Sequence, residues 1–256
     1  MLIAIVSDLH LEHRHLDLDV ILAQPADILI LAGDIVPYSV IPKRVDFFDA
    51  ITAHFKHVIY VLGNHEFYGS CITSSFKDLL ANYSNLHVLE DECVTINNVD
   101  FFGGTLWTDF NKQNPNTLIV AQKYMSDYRA IRNKGCRLTT ADIYSKHTAF
   151  LSSLKTWLGE STNQKIVVSH HSPLKETTAD EYKDDYYMNG LFSSDLSGII
   201  LDSSIDYWIY GHMHSGKDVT IGGCNVITNP RGYPGENSHR NFKMRYLNYE
   251  ISVHEA

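Results

Sequence analysis

Five times this chain runs through a short apolar stretch rich in β-branched residues and stops on Asp, Asn or His. The stretches are residues 2–6, 28–31, 58–62, 165–169 and 205–210. They lead into Ser7-Asp8-Leu9-His10, Ala32-Gly33-Asp34, Gly63-Asn64-His65-Glu66, His170-His171-Ser172-Pro173 and Gly211-His212-Met213-His214. A short apolar run that ends on turn or polar residues reads as a strand buried on both faces. Open α/β folds build their sites at the carboxyl edge of such strands. Residues two apart on an extended segment face the same way, so Asp8 and His10 can address one target. One strand ending like this is an ordinary cap or loop edge. Five of them, sharing a sheet and a direction, would bring all these groups to one edge.

The segments between the strands set the topology. Residues 17–23, 45–55 and 74–83 carry helical patterns, with Phe48, Ile51 and Phe55 spaced three and four apart. The order β-α-β-α-β-α predicts parallel strands with crossover helices. The rhythm then changes to short strands at 88–89, 94–96 and 99–102, with Asn97-Asn98 as a hairpin turn. Residues 103–140 read as an insertion of loops with a short helix near 119–124. Residues 142–158 form the clearest helix, and 194–201 a further one. Residues 219–221, 224–228 and 244–251 read as strands of a second sheet. No linker or repeat interrupts the pattern. The expectation is one domain over residues 1–256, with cap-like loops near 105–140 and 173–190.

Composition bounds the partners. The chain has 256 residues, and its 44% hydrophobic content suffices for a full core. A net charge of −9 disfavours sequence-independent binding to nucleic acid, which relies on Lys and Arg neutralising phosphates, without excluding a local basic site. The start Met1-Leu2-Ile3-Ala4-Ile5-Val6 is too short for a signal-peptide core and lacks a basic start. No apolar run approaches the roughly 20 residues that span a bilayer. Cys71, Cys93, Cys136 and Cys224 are scattered and form no CxxC pair, as expected of free thiols in a reducing cytoplasm. Fourteen histidines, several beside Asp, Asn or Gly, make a metal site the first expectation.

The donors at the strand ends are two carboxylates, an amide oxygen and four or five imidazoles. Such hard and borderline O/N donors suit Mn, Fe or Zn better than thiolate sites do. Seven donors exceed the three protein ligands of a single catalytic zinc. They fit two ions sharing a carboxylate, with Asp34 as the natural bridge. The sequence Asp8-Leu9-His10, Gly33-Asp34, Gly63-Asn64-His65-Glu66, His170 and Gly211-His212-Met213-His214 resembles the calcineurin-like metallophosphoesterase superfamily. The resemblance spans residues 8–214 with every signature block in order. It implies a four-layer α-β-β-α sandwich of two mixed sheets flanked by helices. It further implies that Asp8, His10 and His214 hold one metal, that Asn64, His170 and His212 hold the other, and that Asp34 bridges them. His170 rather than His171 is taken as the ligand because it ends the strand first. The implied chemistry is attack on phosphorus by a metal-bridging hydroxide, with His65 facing the leaving oxygen.

Departures narrow the class. Protein Ser/Thr phosphatases of the superfamily continue the second block as Gly-Asp-x-x-Asp-Arg-Gly. Here the run is Gly33-Asp34-Ile35-Val36-Pro37-Tyr38, without the Asp that orients the catalytic His or the Arg that grips phosphate. That counts against a phosphoprotein phosphatase and favours a small-molecule or nucleotide phosphomono- or diester. A nuclease or pyrophosphatase of the same superfamily is the alternative, with a non-catalytic scaffold behind it. Arg129, Arg132, Lys134 and Arg137 are candidates for a phosphate clamp, against the plainer reading of a solvated face. Arg231 is a further candidate substrate contact. Tyr182, Tyr186 and Tyr187 are either a stacking platform or surface tyrosines. Glu12, His13 and His15 read as outer groups.

Overall fold

The computed structural model describes residues 1–13 and 18–251. Thirteen strands are present among them: β1 (Leu2–Val6), β2 (Ile28–Ala32), β3 (His57–Val61), β4 (Leu86–Leu89), β5 (Glu92–Ile96), β6 (Val99–Gly104), β7 (Arg132–Asn133), β8 (Cys136–Arg137), β9 (Gln164–Ser169), β10 (Ile205–Tyr210), β11 (Val219–Ile221), β12 (Cys224–Thr228) and β13 (Arg245–Asn248). One sheet has the order β13-β1-β2-β3-β4 and the other β11-β12-β10-β9-β6-β5, with β7-β8 a separate hairpin. Strands β1 to β4 run parallel, and β13 is antiparallel to β1. In the second sheet β12, β10, β9 and β6 run parallel, with β11 and β5 as antiparallel edges.

The alternation of side chains along each strand divides the core into layers. Ile28, Ile30 and Ala32 of β2 face the gap between the sheets and meet Phe101, Ile166, Val168 and Ile209. Leu29 and Leu31 face the opposite way, toward Phe48 and Ile51 of the helix Val45–His54. Val167, Trp208 and Tyr210 of the second sheet face Phe150, Leu154 and Trp157 of the helix Thr140–Glu160. The result is a four-layer α-β-β-α sandwich. Both faces of the central strands are covered, which is why their sequences are apolar throughout.

The local signals are legible in the helices. Thr139 and Asp142 close a capping box before Thr140–Glu160: the Asp142 amide donates to Thr139 Oγ1, and the Thr139 amide to Asp142 Oδ2. Asn114 caps Pro115–Tyr124, with proline at the first turn, so this helix begins earlier than residue 119. The third expected helix shrinks to Phe76–Leu80, behind an N-cap at Ser75. The first is Leu18–Ile21; its expected start at Asp17 lies outside the described residues, as does His15.

Two assignments are corrected. Strand β13 was expected in the second sheet but forms an edge of the first, paired with the N-terminal strand. The five site-bearing strands were expected on one sheet, whereas β1, β2 and β3 belong to one and β9 and β10 to the other. Doubly buried strands of two stacked sheets look alike in sequence, so periodicity cannot assign them to one or the other.

Candidate metal centre

The carboxyl ends of β1, β2 and β3 meet those of β9 and β10 along the seam between the sheets. Asp8, His10, Asp34 and His212 all have positive φ, between 47° and 64°. Left-handed backbone at non-glycine residues costs about 1–3 kcal/mol each and concentrates at functional sites. Here it turns each side chain out of its strand line and into the seam. All four are buried.

In the first half of the cluster, His214 Nε2 lies 3.3 Å from Asp8 Oδ1 and 3.2 Å from His10 Nε2. His10 Nε2 is also 3.8 Å from Asp34 Oδ2. In the second half, His170 Nε2 lies 3.3 Å from Asp34 Oδ1 and 3.2 Å from Asn64 Oδ1. Asp34, His170 and His212 form one compact group of donors, and Asp8, His10 and His214 another. Asp34 touches both halves. The amide of His212 donates to both oxygens of Asp8 at 3.1 Å, and the amide of His65 donates to Asp34 Oδ1 at 2.9 Å. The Ser7 hydroxyl donates to Asp8 Oδ2.

The imidazoles are oriented from behind. Nδ1 of His170 donates to Ala32 O at 2.9 Å, Nδ1 of His10 faces Glu12 Oε1 at 3.2 Å, and Nδ1 of His214 faces Glu236 Oε2 at 2.6 Å. With the proton on Nδ1, each Nε2 presents a lone pair to the cluster. Metal-binding histidines are held in this way. Two such Nε2 atoms, on His10 and His214, face each other 3.2 Å apart. Nε2 of His212 is buried and has no hydrogen-bond partner among the described residues. Asn64 is aimed by its amide nitrogen, which donates to Asp127 Oδ1 at 2.8 Å and leaves Oδ1 toward His170. A buried orphan nitrogen, opposed lone pairs and an all O/N donor set fit two hard or borderline cations.

Titration follows the same geometry. Burial lowers the affinity of His170 for its proton, but the charge and hydrogen bond of Asp34 overcome this and raise its pKa to about 9. His214 is likewise penalised by burial and raised to about 9 by Asp8 and Glu236. His212 has no such carboxylate bond; burial and the charges of His171 and His170 hold it far below its usual value. Burial opposes ionisation of Asp34, yet the surrounding imidazoles hold its carboxyl well below the ordinary range.

Glu66 is fully buried and ties the turns together. Its carboxylate accepts from the amides of Asp34 (2.9 Å), Ile35 (2.6 Å), Val36 (3.2 Å) and Gly63 (2.7 Å), and from the Tyr60 hydroxyl (2.7 Å). Burial and the nearby Asp34 charge push its pKa up against these bonds. Gly63 is required for space: a Cβ there would lie 2.1 Å from Asp34 Oδ1 and 2.8 Å from His170 Nε2. Glycine at this position is what allows the close approach of the strand ends.

His65 sits beside the cluster with both ring nitrogens engaged. Nδ1 faces Glu12 Oε1 at 3.1 Å and Nε2 faces the Tyr233 hydroxyl at 2.9 Å. The ring also stacks on Tyr68 at 4.1 Å. Burial lowers its proton affinity, but Asp34 and Glu12 more than offset this and raise its pKa. Glu12 Oε1 faces His10 as well as His65, and despite partial burial these contacts lower the Glu12 pKa to about 2.

The structure thus gathers Asp8, His10, Asp34, Asn64, His65, His170, His212 and His214 at one locus. His171 points away, facing Thr105 O at 3.3 Å and stacking behind His212 at 4.2 Å. Arg129 and Arg132 are exposed and do not line the cavity over the cluster. Arg231 is buried, with Nη1 donating to Leu9 O at 3.1 Å, and does not line that cavity either. Sequence reasoning missed Tyr233, two residues beyond Arg231, together with Asp127, Tyr68 and Glu236. Asp127 gives no local signal, since its partner Asn64 is 63 positions away.

The cavity has a volume of about 570 Å³ and opens onto Asp34, Asn64, His65, His212 and His214. Part of its wall comes from the two insertions, and Tyr68, Phe192, Met213, Tyr233 and Glu236 complete it. The helix Pro115–Tyr124 packs on the short helix Tyr186–Asn189, and Asn111 Nδ2 donates to Tyr186 O at 2.8 Å. No helix among the described residues is long and apolar enough to cross a membrane.

Comparison with known proteins converges on one family. An uncharacterised protein of Acanthamoeba polyphaga mimivirus is 29% identical over 269 residues, covering 92% of each chain. Phosphopantetheinyl hydrolase from Mycobacterium tuberculosis superposes with a TM-score of 0.72 at 17% identity, covering 99% of this chain and 98% of that one. A dimetal phosphatase from Danio rerio superposes at 0.51 with 14% identity, covering 96% and 91%. These likenesses between structures concern the fold. The family model described as calcineurin-like phosphoesterase matches residues 1–216, and this chain belongs to that family.

Proposed function

We propose that the protein hydrolyses a small-molecule phosphoester at a pair of metal ions. Asp8, His10 and His214 would hold one ion, Asn64, His170 and His212 the other, and Asp34 both. The observation that carries this reading is the inward convergence of Nε2 atoms whose Nδ1 partners are tied down behind them. When bound, such a pair polarises phosphoryl oxygens and supplies a water of lowered pKa as nucleophile.

The chain's own residues do the rest. His65 is the proton donor to the leaving oxygen: it lines the cavity, and the neighbouring Asp34 and Glu12 favour its protonated form. Glu12 is its positioning residue, filling the role left empty by the missing Asp after Asp34. Its carboxylate holds Nδ1 and fixes the ring, so that Nε2, on the Tyr233 hydroxyl in this structure, is the nitrogen that would exchange that partner for the leaving oxygen. Tyr233 holds the Nε2 position by hydrogen bonding and shields the ring from bulk water. Tyr68 covers the other face of the ring.

The test is turnover of aryl phosphate esters after chelation and reloading with Mn, Zn or Fe separately. Activity should vanish on stripping and return with at least one metal. No turnover with any of them would sink the proposal.

A further inference from the structure

The cavity over the cluster is far larger than a phosphoryl group, and its chemistry is uneven. Tyr124, Tyr182 and Phe192 give it three aromatic faces, and Met125, Met188 and Met213 three thioethers. The charged side chains lining it beyond the cluster and His65 are acidic, Asp185 and Glu236; no lysine or arginine does so among the described residues. Phe192 lies on His212, with ring centroids 4.9 Å apart, while His65 is flanked by Tyr68 and Tyr233. The cluster is therefore bordered by a Met–aromatic wall on its His212 side and by the proton donor on its His65 side.

Resting on the phosphoesterase reading above, we propose that the substrate is a phosphodiester whose retained arm is uncharged, has an apolar or planar body, and lies along Phe192, Met188 and Met213. The leaving oxygen belongs beside His65. A monoester has one organic group, which would sit at His65 and leave the Met–aromatic wall without a partner. A monoester's second phosphoryl charge would have to be met by the metal pair alone, since the lining offers no cationic side chain. A second phosphate on the arm, as in a nucleoside diphosphate, would meet Asp185 and Glu236. Thioether side chains accommodate varied apolar shapes, and aromatic faces favour planar ones. Hydrolysis forms one P–O bond from water and breaks the P–O bond to the leaving alcohol. His65 gives its proton to that alcohol and regains one from the attacking water. The products are the free alcohol and the phosphomonoester of the retained arm, whose remaining proton is released to solvent.

The experiment uses the full chain loaded with metal and p-nitrophenyl diesters whose second arm is methyl, benzyl or carboxyethyl, alongside p-nitrophenyl phosphate. The benzyl diester should exceed the methyl diester in kcat/KM by at least about tenfold, the scale on which apolar pockets discriminate. The carboxyethyl diester should fall below the methyl diester, and the monoester below all diesters. Met188→Asp should reduce the benzyl-over-methyl ratio by about tenfold, and Phe192→Leu, which conserves volume, by less. A benzyl-over-methyl ratio near one, or a preference for the monoester, overturns the proposal while leaving the phosphoesterase reading intact. Release of no p-nitrophenolate from any ester with any metal overturns both.

Discussion

The two halves of the cluster use similar donors but are held differently. Around Asp8, His10 and His214 the supports are carboxylates, Glu12 and Glu236, and His214 retains 17% side-chain exposure. Around Asn64, His170 and His212 the supports are a main-chain carbonyl, buried Asp127 and the packed ring of His171, and His170 is fully buried. The first half is therefore tuned by side chains near solvent and the second by the fold itself. Asp34 spans both, so its loss cannot be confined to either.

This contrast can be broken in order of effect. Asp34→Asn should remove metal from both halves and lower kcat/KM by about 10³-fold or more, measured by elemental analysis with turnover. A variant that keeps one full equivalent of metal would show that Asp34 is not shared. His65→Ala should cost about 10²–10⁴-fold while leaving metal content intact, with a greater loss on alkyl than on p-nitrophenyl leaving groups. Retained activity would remove His65 from its assigned role. Glu236→Gln and Asp127→Asn should each weaken metal binding about 10–100-fold, the first only in one half and the second only in the other, as resolved by calorimetric titration. If both changes weaken both binding steps alike, the halves are not separately supported.

The smallest effect is on pH. In the metal-free protein His170 and His214 are raised to about 9, against an unfolded value near 6.5. A raised imidazole contributes stability that is complete below the unfolded value and is lost as pH rises through the folded one. The melting temperature of the stripped protein should therefore fall between about pH 6.5 and 9. Metal competes with protons for these nitrogens, so metal affinity should rise across the same window. A stripped protein whose melting temperature rises there would contradict the assigned pairing.

The positions brought together at the seam were legible because each closes an apolar strand, and strand ends announce themselves locally. Their supports were not. Glu12, Asp127 and Glu236 act on partners that the fold, not the sequence spacing, brings close. The helix Pro115–Tyr124 was placed late because Ile119 and Tyr124 face outward rather than into a core. The basic run from Arg129 to Arg137 is the converse case: of its two readings the plainer one fits, since Arg129, Arg132 and Arg137 are exposed and none of the run lines the cavity. Where the superfamily's protein phosphatases carry an Asp after the one at Asp34, this chain instead sets Glu12, from a different strand end, against His65.

Part of the cavity wall comes from two insertions that pack on each other, and neither supplies one of the seven donors. Asp127 ties the first of them to Asn64 and Tyr68 on the floor. Much of the wall is thus carried on stretches of chain apart from the donors, with Met213, between His212 and His214, the point where the two meet. Divergence among copies of such a protein can proceed by rewriting residues 105–140 and 173–190 while the floor stays fixed, so related chains with the same donors need not share a substrate.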